Sequence, residues 1–108
     1  MLVTPLLKLA AERQASDLFF SVGASVNIKI DGVTGPVNAQ VLTPEIIKRI
    51  AYEMMNSKQI LEFENSMEIN FSYRADQLGS FRVNIFRQRG HYAVIMRKAQ
   101  SEMPSIPM

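Results

Sequence analysis

The spacing of apolar residues along the chain switches between the two-residue period of strands and the 3.6-residue period of helices. Helical spacing predicts helices over residues 4–14, 43–54 and 57–65. Alternation of apolar and polar residues predicts strands over residues 17–22, 26–30, 33–41, 67–73, 81–87 and 92–98. Strands before and after two central helices indicate an antiparallel sheet covered by helices, which is an α+β domain.

Local signals mark where several of these elements begin and turn. Thr4-Pro5 and Thr43-Pro44 each offer a capping threonine followed by proline at the first helical position. Asp31-Gly32 is a hairpin turn signal between two strands. A second hairpin is predicted over 88–91, which makes the strands over residues 81–87 and 92–98 antiparallel neighbours.

Composition limits the protein to a small number of classes. Its 108 residues, 47% of them hydrophobic, suffice for one globular domain. There is no cysteine, no secretory signal at the N-terminus and no apolar run long enough to span a membrane, so a cytoplasmic protein is expected. The net charge is only +2, but five of the six charged residues after Gly79 are basic.

The basic residues concentrate on the strand Phe81–Arg87 and the turn that follows it. Arg82, Arg87 and Arg89 fall within eight positions. Arginine is suited to phosphate or carboxylate because its planar fork gives two parallel hydrogen bonds and keeps its charge. The stretch therefore predicts a donor of arginines to an anion held elsewhere, and a basic strand that only solubilises a sheet face is the alternative.

Catalytic chemistry is sparse in this sequence. It contains no G-x-x-x-x-G-K-[ST] phosphate loop, and its single histidine, His91, falls in a predicted turn. No cluster of histidine, cysteine or carboxylate residues predicts a metal site. The chain alone is therefore not expected to be a catalyst.

Several tracts resemble one family, the bacterial secretion and pilus motor ATPases, and within it the type IV pilus retraction ATPases of the PilT and PilU kind. The tracts are Ala15–Gly23 (the family's "SDLH-x-S-x-G"), Lys29–Gly32 ("R-I-D-G"), Leu42–Glu45 with Met55–Glu64 (a helical pair), Glu68–Ser72 ("E-x-D-F-S") and Phe81–Gly90 ("F-R-V-N-x-F-x-Q-R-G"). Phe19 stands where the family usually has histidine, Lys29 where it has arginine, and Ala24-Ser25 where it has two prolines. These departures favour a PilU-like or divergent member.

The resemblance implies a domain organisation. Residues 1–100 would be a PAS-like N-terminal domain, and residues 101–108 the start of a linker to a RecA-like ATPase core that this chain lacks. The parent protein would be a twitching-motility ATPase with ATP and magnesium, and this fragment alone would bind neither. It would assemble as a homo-hexamer, peripheral to the inner membrane.

The resemblance also implies partners and site residues. The partners would be the RecA-like cores of the same and the adjacent subunit and the inner-membrane platform protein of the pilus, with no nucleic acid and no membrane insertion. The residues that would contact ATP across the subunit interface, coupling hydrolysis to domain motion, are Arg82, Arg87, Arg89 and Arg97.

Two questions remain open from the residues themselves. Strict alternation places Arg82 on the face opposite to Arg87 unless the strand ends or bulges, and Arg97 could instead pair with a carboxylate. A stand-alone PAS-like module that binds a ligand or a protein is the alternative function, and a pocket lined by Phe20, Ile28 and Phe71 would support it.

Overall fold

The computed structural model describes residues 2–99 of the chain. The linker predicted over 101–108 lies outside this described part. The helices are α1 (Val3–Glu12), α2 (Pro44–Glu53) and α3 (Ser57–Ser66); the strands are β1 (Asp17–Ser21), β2 (Asn27–Ile30), β3 (Val33–Pro36), β4 (Glu68–Arg74), β5 (Ser80–Gln88) and β6 (His91–Lys98). A 3₁₀ turn at Asp76–Leu78 precedes β5.

The six strands form one sheet in the order β3-β2-β1-β6-β5-β4, and every neighbouring pair is antiparallel. The predicted α+β class with an antiparallel sheet is confirmed. β1 pairs with β6, which places Asp17 opposite Arg97 across eighty positions of sequence. The first and last strands of the fold thereby meet at the centre of the sheet.

Two helices begin where their local chemistry predicts. The hydroxyl of Thr43 accepts the backbone N–H of Ile46 at 3.3 Å, with Pro44 in the first helical position. Asn56 and Gln59 form a reciprocal capping box with bonds of 2.8 and 2.9 Å. The spacing of these caps explains why α2 and α3 are separate helices.

The start of α1 differs from the expectation. Thr4 lies inside the helix and does not cap it, because the helix begins at Val3, whose side chain is fully buried in the core. At the start of the helix, the backbone N–H of Leu2 donates to the Glu53 carboxylate at 2.9 Å. Contacts with the rest of the fold therefore decide this boundary, and the local Thr-Pro signal does not.

The hairpin between β5 and β6 turns in two residues. Arg89 and Gly90 both have positive φ angles, 55° and 82°, as a tight hairpin with the favoured twist requires. Gln88 consequently pairs with His91, and each step away from the turn adds another cross-strand pair. This turn sets which arginines meet across the two strands.

The three helices contribute to one core with the inner face of the sheet. Its largest fully buried side chains include Phe20, Leu18, Ile47, Ile50, Phe63, Phe81, Ile85 and Met96. Burial alternates along β5, so that Arg82 and Asn84 point away from this core. The sheet thus has an open face, defined here by Asp17, Phe19, Asn70, Ser72, Arg82, Asn84, Ile95 and Arg97. Within residues 2–99, no helix is long and apolar enough to cross a bilayer.

Candidate anion-binding face

A row of polar residues crosses the open face from one strand to the next. Arg97 of β6 lies opposite Asp17 of β1 on one side and opposite Arg82 of β5 on the other. Ser72 of β4 continues the row beyond Arg82. Because residues directly opposite on neighbouring antiparallel strands have Cβ atoms about 4.5–5.5 Å apart, the two arginines are immediate neighbours.

The two arginines differ in their electrostatic surroundings. The Nε of Arg97 donates to the Asp17 carboxylate at 3.2 Å. Arg82 lies exposed between Arg97 and Ser72, neither of which carries negative charge. Like charges directly opposite one another in a sheet are destabilising. The row therefore contains one arginine that is held by a carboxylate and one whose cross-strand neighbours supply no counter-charge.

Asp17 is the nearly buried carboxylate that binds Arg97. Its side chain is only 9% exposed, and it accepts a hydrogen bond from Ser16 Oγ at 2.6 Å in addition to the one from Arg97. Burial by itself would raise the pKa of Asp17, but these two hydrogen bonds, with the charges of Arg97 and Lys29, outweigh it and lower the pKa. Asp17 is therefore a buried carboxylate that fixes the position of Arg97.

A shallow groove runs beside the arginine pair. Its volume is about 270 Å³, and its lining includes Asn70, Ser72, Arg82, Asn84, Ile95 and Arg97. The Asn84 amide donates to the Asn70 side-chain oxygen at 2.8 Å and to the Glu68 carboxylate at 3.2 Å. The groove thus combines two guanidinium groups with amide and hydroxyl groups, which is the chemistry that oxyanions bind.

Arg87 lies on the other side of the sheet. Its guanidinium carbon is 5.5 Å from the centroid of the Tyr92 ring, and that ring packs 5.5 Å from Phe63 of α3. The Arg87 side chain also donates to the sulfur of Met67 at 3.5 Å. Arg87 is therefore on the helix-covered face, as strict alternation predicts, and does not share the groove with Arg82.

Arg89 occupies the tight turn between β5 and β6. Its positive φ and exposed side chain place it at the end of the hairpin, beyond both faces of the sheet. The four predicted site residues therefore divide into a pair on the open face, Arg82 with Arg97, and two residues near the hairpin end, Arg87 and Arg89. The fold brings together only the first pair.

A tyrosine pair lies beside Arg87 on the helix-covered face. The hydroxyl of Tyr52 donates to the Glu64 carboxylate at 2.7 Å and lies 3.4 Å from the hydroxyl of Tyr92. Burial, followed by these two neighbours, raises the pKa of Tyr52 far above its ordinary value. The Tyr52 hydroxyl is thus held in its protonated form, and its contacts link α2 to α3 and β6.

The interior gives no support to the predicted ligand pocket. Phe20 and Ile28 are buried in the common core, and Phe71 is partly buried and packs against the same core. The groove beside Arg82 and Arg97 includes only Phe71 of these three residues in its lining. Within residues 2–99, no group of three histidine or carboxylate side chains is placed to hold a metal ion.

Sequence reasoning missed Asp17, Asn70 and Asn84 as members of the candidate site. The asparagines could have been found from alternation, since both share the outward parity of Arg82 on their strands. The arginine pair follows from the two-residue turn at Arg89-Gly90, because positions equidistant from it face each other. Asp17 carried no such signal, because its contact depends on the pairing of β1 with β6.

Comparison with known proteins finds sequence relatives among the type IV pilus ATPases. The chain is 33% identical over 101 residues, 94% of its length, to the type IV pilus ATPase PilU of Pseudomonas aeruginosa and, equally, to the type IV pilus retraction ATPase PilT of the same organism. It spans 26% of PilU and 29% of PilT, about a quarter of the length of each relative. No protein-family model matches the chain.

Solved structures agree with these sequence relatives. The crystal structure of the pilus retraction motor PilT with bound ADP superposes with a TM-score of 0.87 at 29% identity, covering 94% of this chain and 30% of that one. The Yersinia pseudotuberculosis ATPase DotB gives a TM-score of 0.65 at 25% identity, over 88% of this chain and 28% of that one. The Legionella pneumophila ATPase DotB, at 15% identity and a TM-score of 0.73, shares the fold.

Proposed function

We propose that this chain, which is similar in sequence and fold to PilT and PilU over nearly its whole length, is the N-terminal, nucleotide-contacting domain of a pilus motor ATPase. In this role it donates arginines to ATP that is bound by the RecA-like core of an adjacent subunit. The observation that carries the proposal is the cross-strand pair Arg82 and Arg97, which line one groove on an uncovered sheet face.

Electrostatics give the physical reason for an anion at this place. Two cations opposite one another repel, and Asp17 neutralises only the one it contacts. A phosphate group next to Arg82 would relieve that repulsion and would accept hydrogen bonds from the guanidinium fork. A cation that is presented across an interface also stabilises the negative charge that spreads over a phosphoryl group during its transfer.

The two subsets of arginines would then act from different surfaces. Arg82 is the leading donor, and Arg97 supports it with an orientation set by Asp17. Arg87 and Arg89, near the hairpin end, would have to reach the nucleotide, or a second anionic group, from the other side of the strand. Coupling follows in this scheme because loss of the γ-phosphate removes an anion that joins the two domains.

The wider setting belongs to the same proposal. Residues 1–100 would form a PAS-like domain and residues 101–108 the beginning of a linker to the core that binds ATP and magnesium. The full-length protein would be a cytoplasmic homo-hexamer that acts at the inner membrane on the platform protein of the pilus. Support comes from the pilus ATPases that the chain resembles over nearly its whole length.

The proposal is tested in the full-length ATPase that carries this domain. Arg82→Ala is expected to lower kcat without unfolding the protein, and Arg82→Lys to restore part of the rate because it keeps the charge but not the fork. Lys58→Ala, an exposed cation at the start of α3, is the matched control and should leave turnover unchanged. Wild-type turnover in Arg82→Ala, Arg87→Ala and their double variant would contradict the proposal.

The alternative of a ligand-binding module without an ATPase role has weaker support. Its predicted pocket residues Phe20 and Ile28 are buried in the core, and Phe71 packs against them as part of the same core. It is distinguished by the same variants, because a binding module that is independent of ATP would leave turnover unaffected by every arginine substitution.

A further inference from the structure

The sheet has two edges, and they differ in their capacity to pair with another strand. β3 has four residues, including Gly35 and Pro36, and proline cannot donate a backbone hydrogen bond. β4 at the other edge has seven residues, Glu68–Arg74, without glycine or proline. A long, regular edge strand presents backbone groups that can accept a further strand, whereas a short strand with proline does not.

The hydrogen bonds at both ends of β4 show which backbone groups face outward. The N–H of Arg87 donates to the carbonyl of Met67 at 3.1 Å, and the N–H of Ala75 donates to the carbonyl of Gly79 at 2.9 Å. Odd-numbered residues therefore direct their backbone groups toward β5. In an antiparallel ladder the alternate residues direct theirs the other way, so residues 68, 70, 72 and 74 present donors and acceptors at the edge.

The side chains of β4 are complementary to those of a second copy. If two β4 strands pair antiparallel about a two-fold axis at Phe71, Glu68 of each copy lies opposite Arg74 of the other, and Asn70 lies opposite Ser72. All four outward-facing residues then fall in hydrogen-bonded pairs, which gives about eight new backbone hydrogen bonds. Moving the axis by one residue toward either end leaves both Glu68 and Arg74 without an opposite charge.

We propose that β4 is a self-association edge, at which two copies of this chain join their sheets about a two-fold axis at Phe71. Exposed Glu68 and Arg74 give two ion pairs by symmetry, which select the second copy rather than an unrelated strand. Ile69, Phe71 and Tyr73 line the inner side of the junction next to the core. Because a two-fold contact is closed, this contact by itself joins two copies and no more.

Charge reversal and its rescue test this contact in the 108-residue chain. Analytical ultracentrifugation should detect a dimer whose dissociation constant rises by about tenfold in Glu68→Lys and in Arg74→Glu, since each change places like charges together twice. The double variant Glu68→Lys/Arg74→Glu restores opposite charges at both places and should return the affinity toward that of the wild type. Loss of the Asn84 contact to Glu68 cannot explain such a rescue, because the double variant lacks it too.

Disulfide trapping reads the register independently, because the sequence contains no cysteine. Phe71→Cys places two thiols opposite each other at the axis, so mild oxidation should give a covalent dimer. Asn70→Cys, whose opposite residue is Ser72, is the matched control and should cross-link at least about tenfold more slowly, because its two thiols lie in offset positions. A chain that stays monomeric at millimolar concentration, or a dimer that both single reversals leave intact, overturns the proposal.

Discussion

Replacing Asp17 with asparagine removes the negative charge beneath the arginine pair and keeps the shape of the side chain. Arg97 is 72% exposed, so solvent screening limits its ion pair with Asp17 to at most about 1 kcal/mol. The hydrogen bond from Ser16 is shorter and reaches a buried carboxylate, and it loses about half its strength when its acceptor becomes neutral. The free energy of unfolding should therefore fall by about 1–2 kcal/mol at pH 7.

The sign of the pH dependence follows from the lowered pKa of Asp17. A carboxylate whose pKa is lower in the folded state stabilises the fold above its unfolded pKa, and this contribution is lost as the pH falls through the folded pKa. Protonated aspartic acid resembles asparagine, so the wild type and Asp17→Asn should differ at pH 7 and converge toward pH 2. Urea unfolding followed by circular dichroism measures both differences. An equal difference at both pH values, or none at pH 7, would refute this reasoning.

Three further substitutions test the packing and the local chemistry of the fold. Phe63→Ala empties a fully buried site beside the Tyr92 ring and should cost about 3–5 kcal/mol; a loss below about 1 kcal/mol in urea unfolding would mean that Phe63 is not a core residue. Asn56→Ala removes the capping box with Gln59 and should lower stability by about 1 kcal/mol, and an unchanged melting temperature would argue against that cap. Gly90→Ala meets no neighbouring atom but keeps a φ of 82°, so it should cost about 1–2 kcal/mol from backbone strain alone; a stabilised variant would argue against the tight turn.

The sequence predicted those elements whose first and last residues are set by residues close to them in the sequence. α2 and α3 begin at their capping residues, because a cap acts through atoms within three positions. The turn at Arg89-Gly90 likewise determines the cross-strand pairs of β5 and β6. α1 could not be placed as well, since its first residues are drawn into the helix by burial of Val3 against distant parts of the chain.

The candidate site was predictable only in part, and for the same reason. The position of Arg82 on the outer face follows from alternation, and its proximity to Arg97 follows from the hairpin. The contact of Arg97 with Asp17 depends on the pairing of β1 with β6, which no local pattern encodes. The separation of Arg87 from Arg82 was expected from alternation, and the packing of Arg87 over Tyr92 is a consequence of where α3 lies.

The steady-state ATPase rate of the full-length protein with Arg82→Ala tests the proposed arginine donation most directly. We expect kcat to fall at least about tenfold, since an arginine that acts on a transferring phosphoryl group contributes far more than a surface charge. The Lys58→Ala control should retain the wild-type rate, and both variants should keep the wild-type oligomeric state. A wild-type kcat in Arg82→Ala and in the Arg82→Ala/Arg87→Ala double variant would contradict the proposal that this domain donates arginines to ATP.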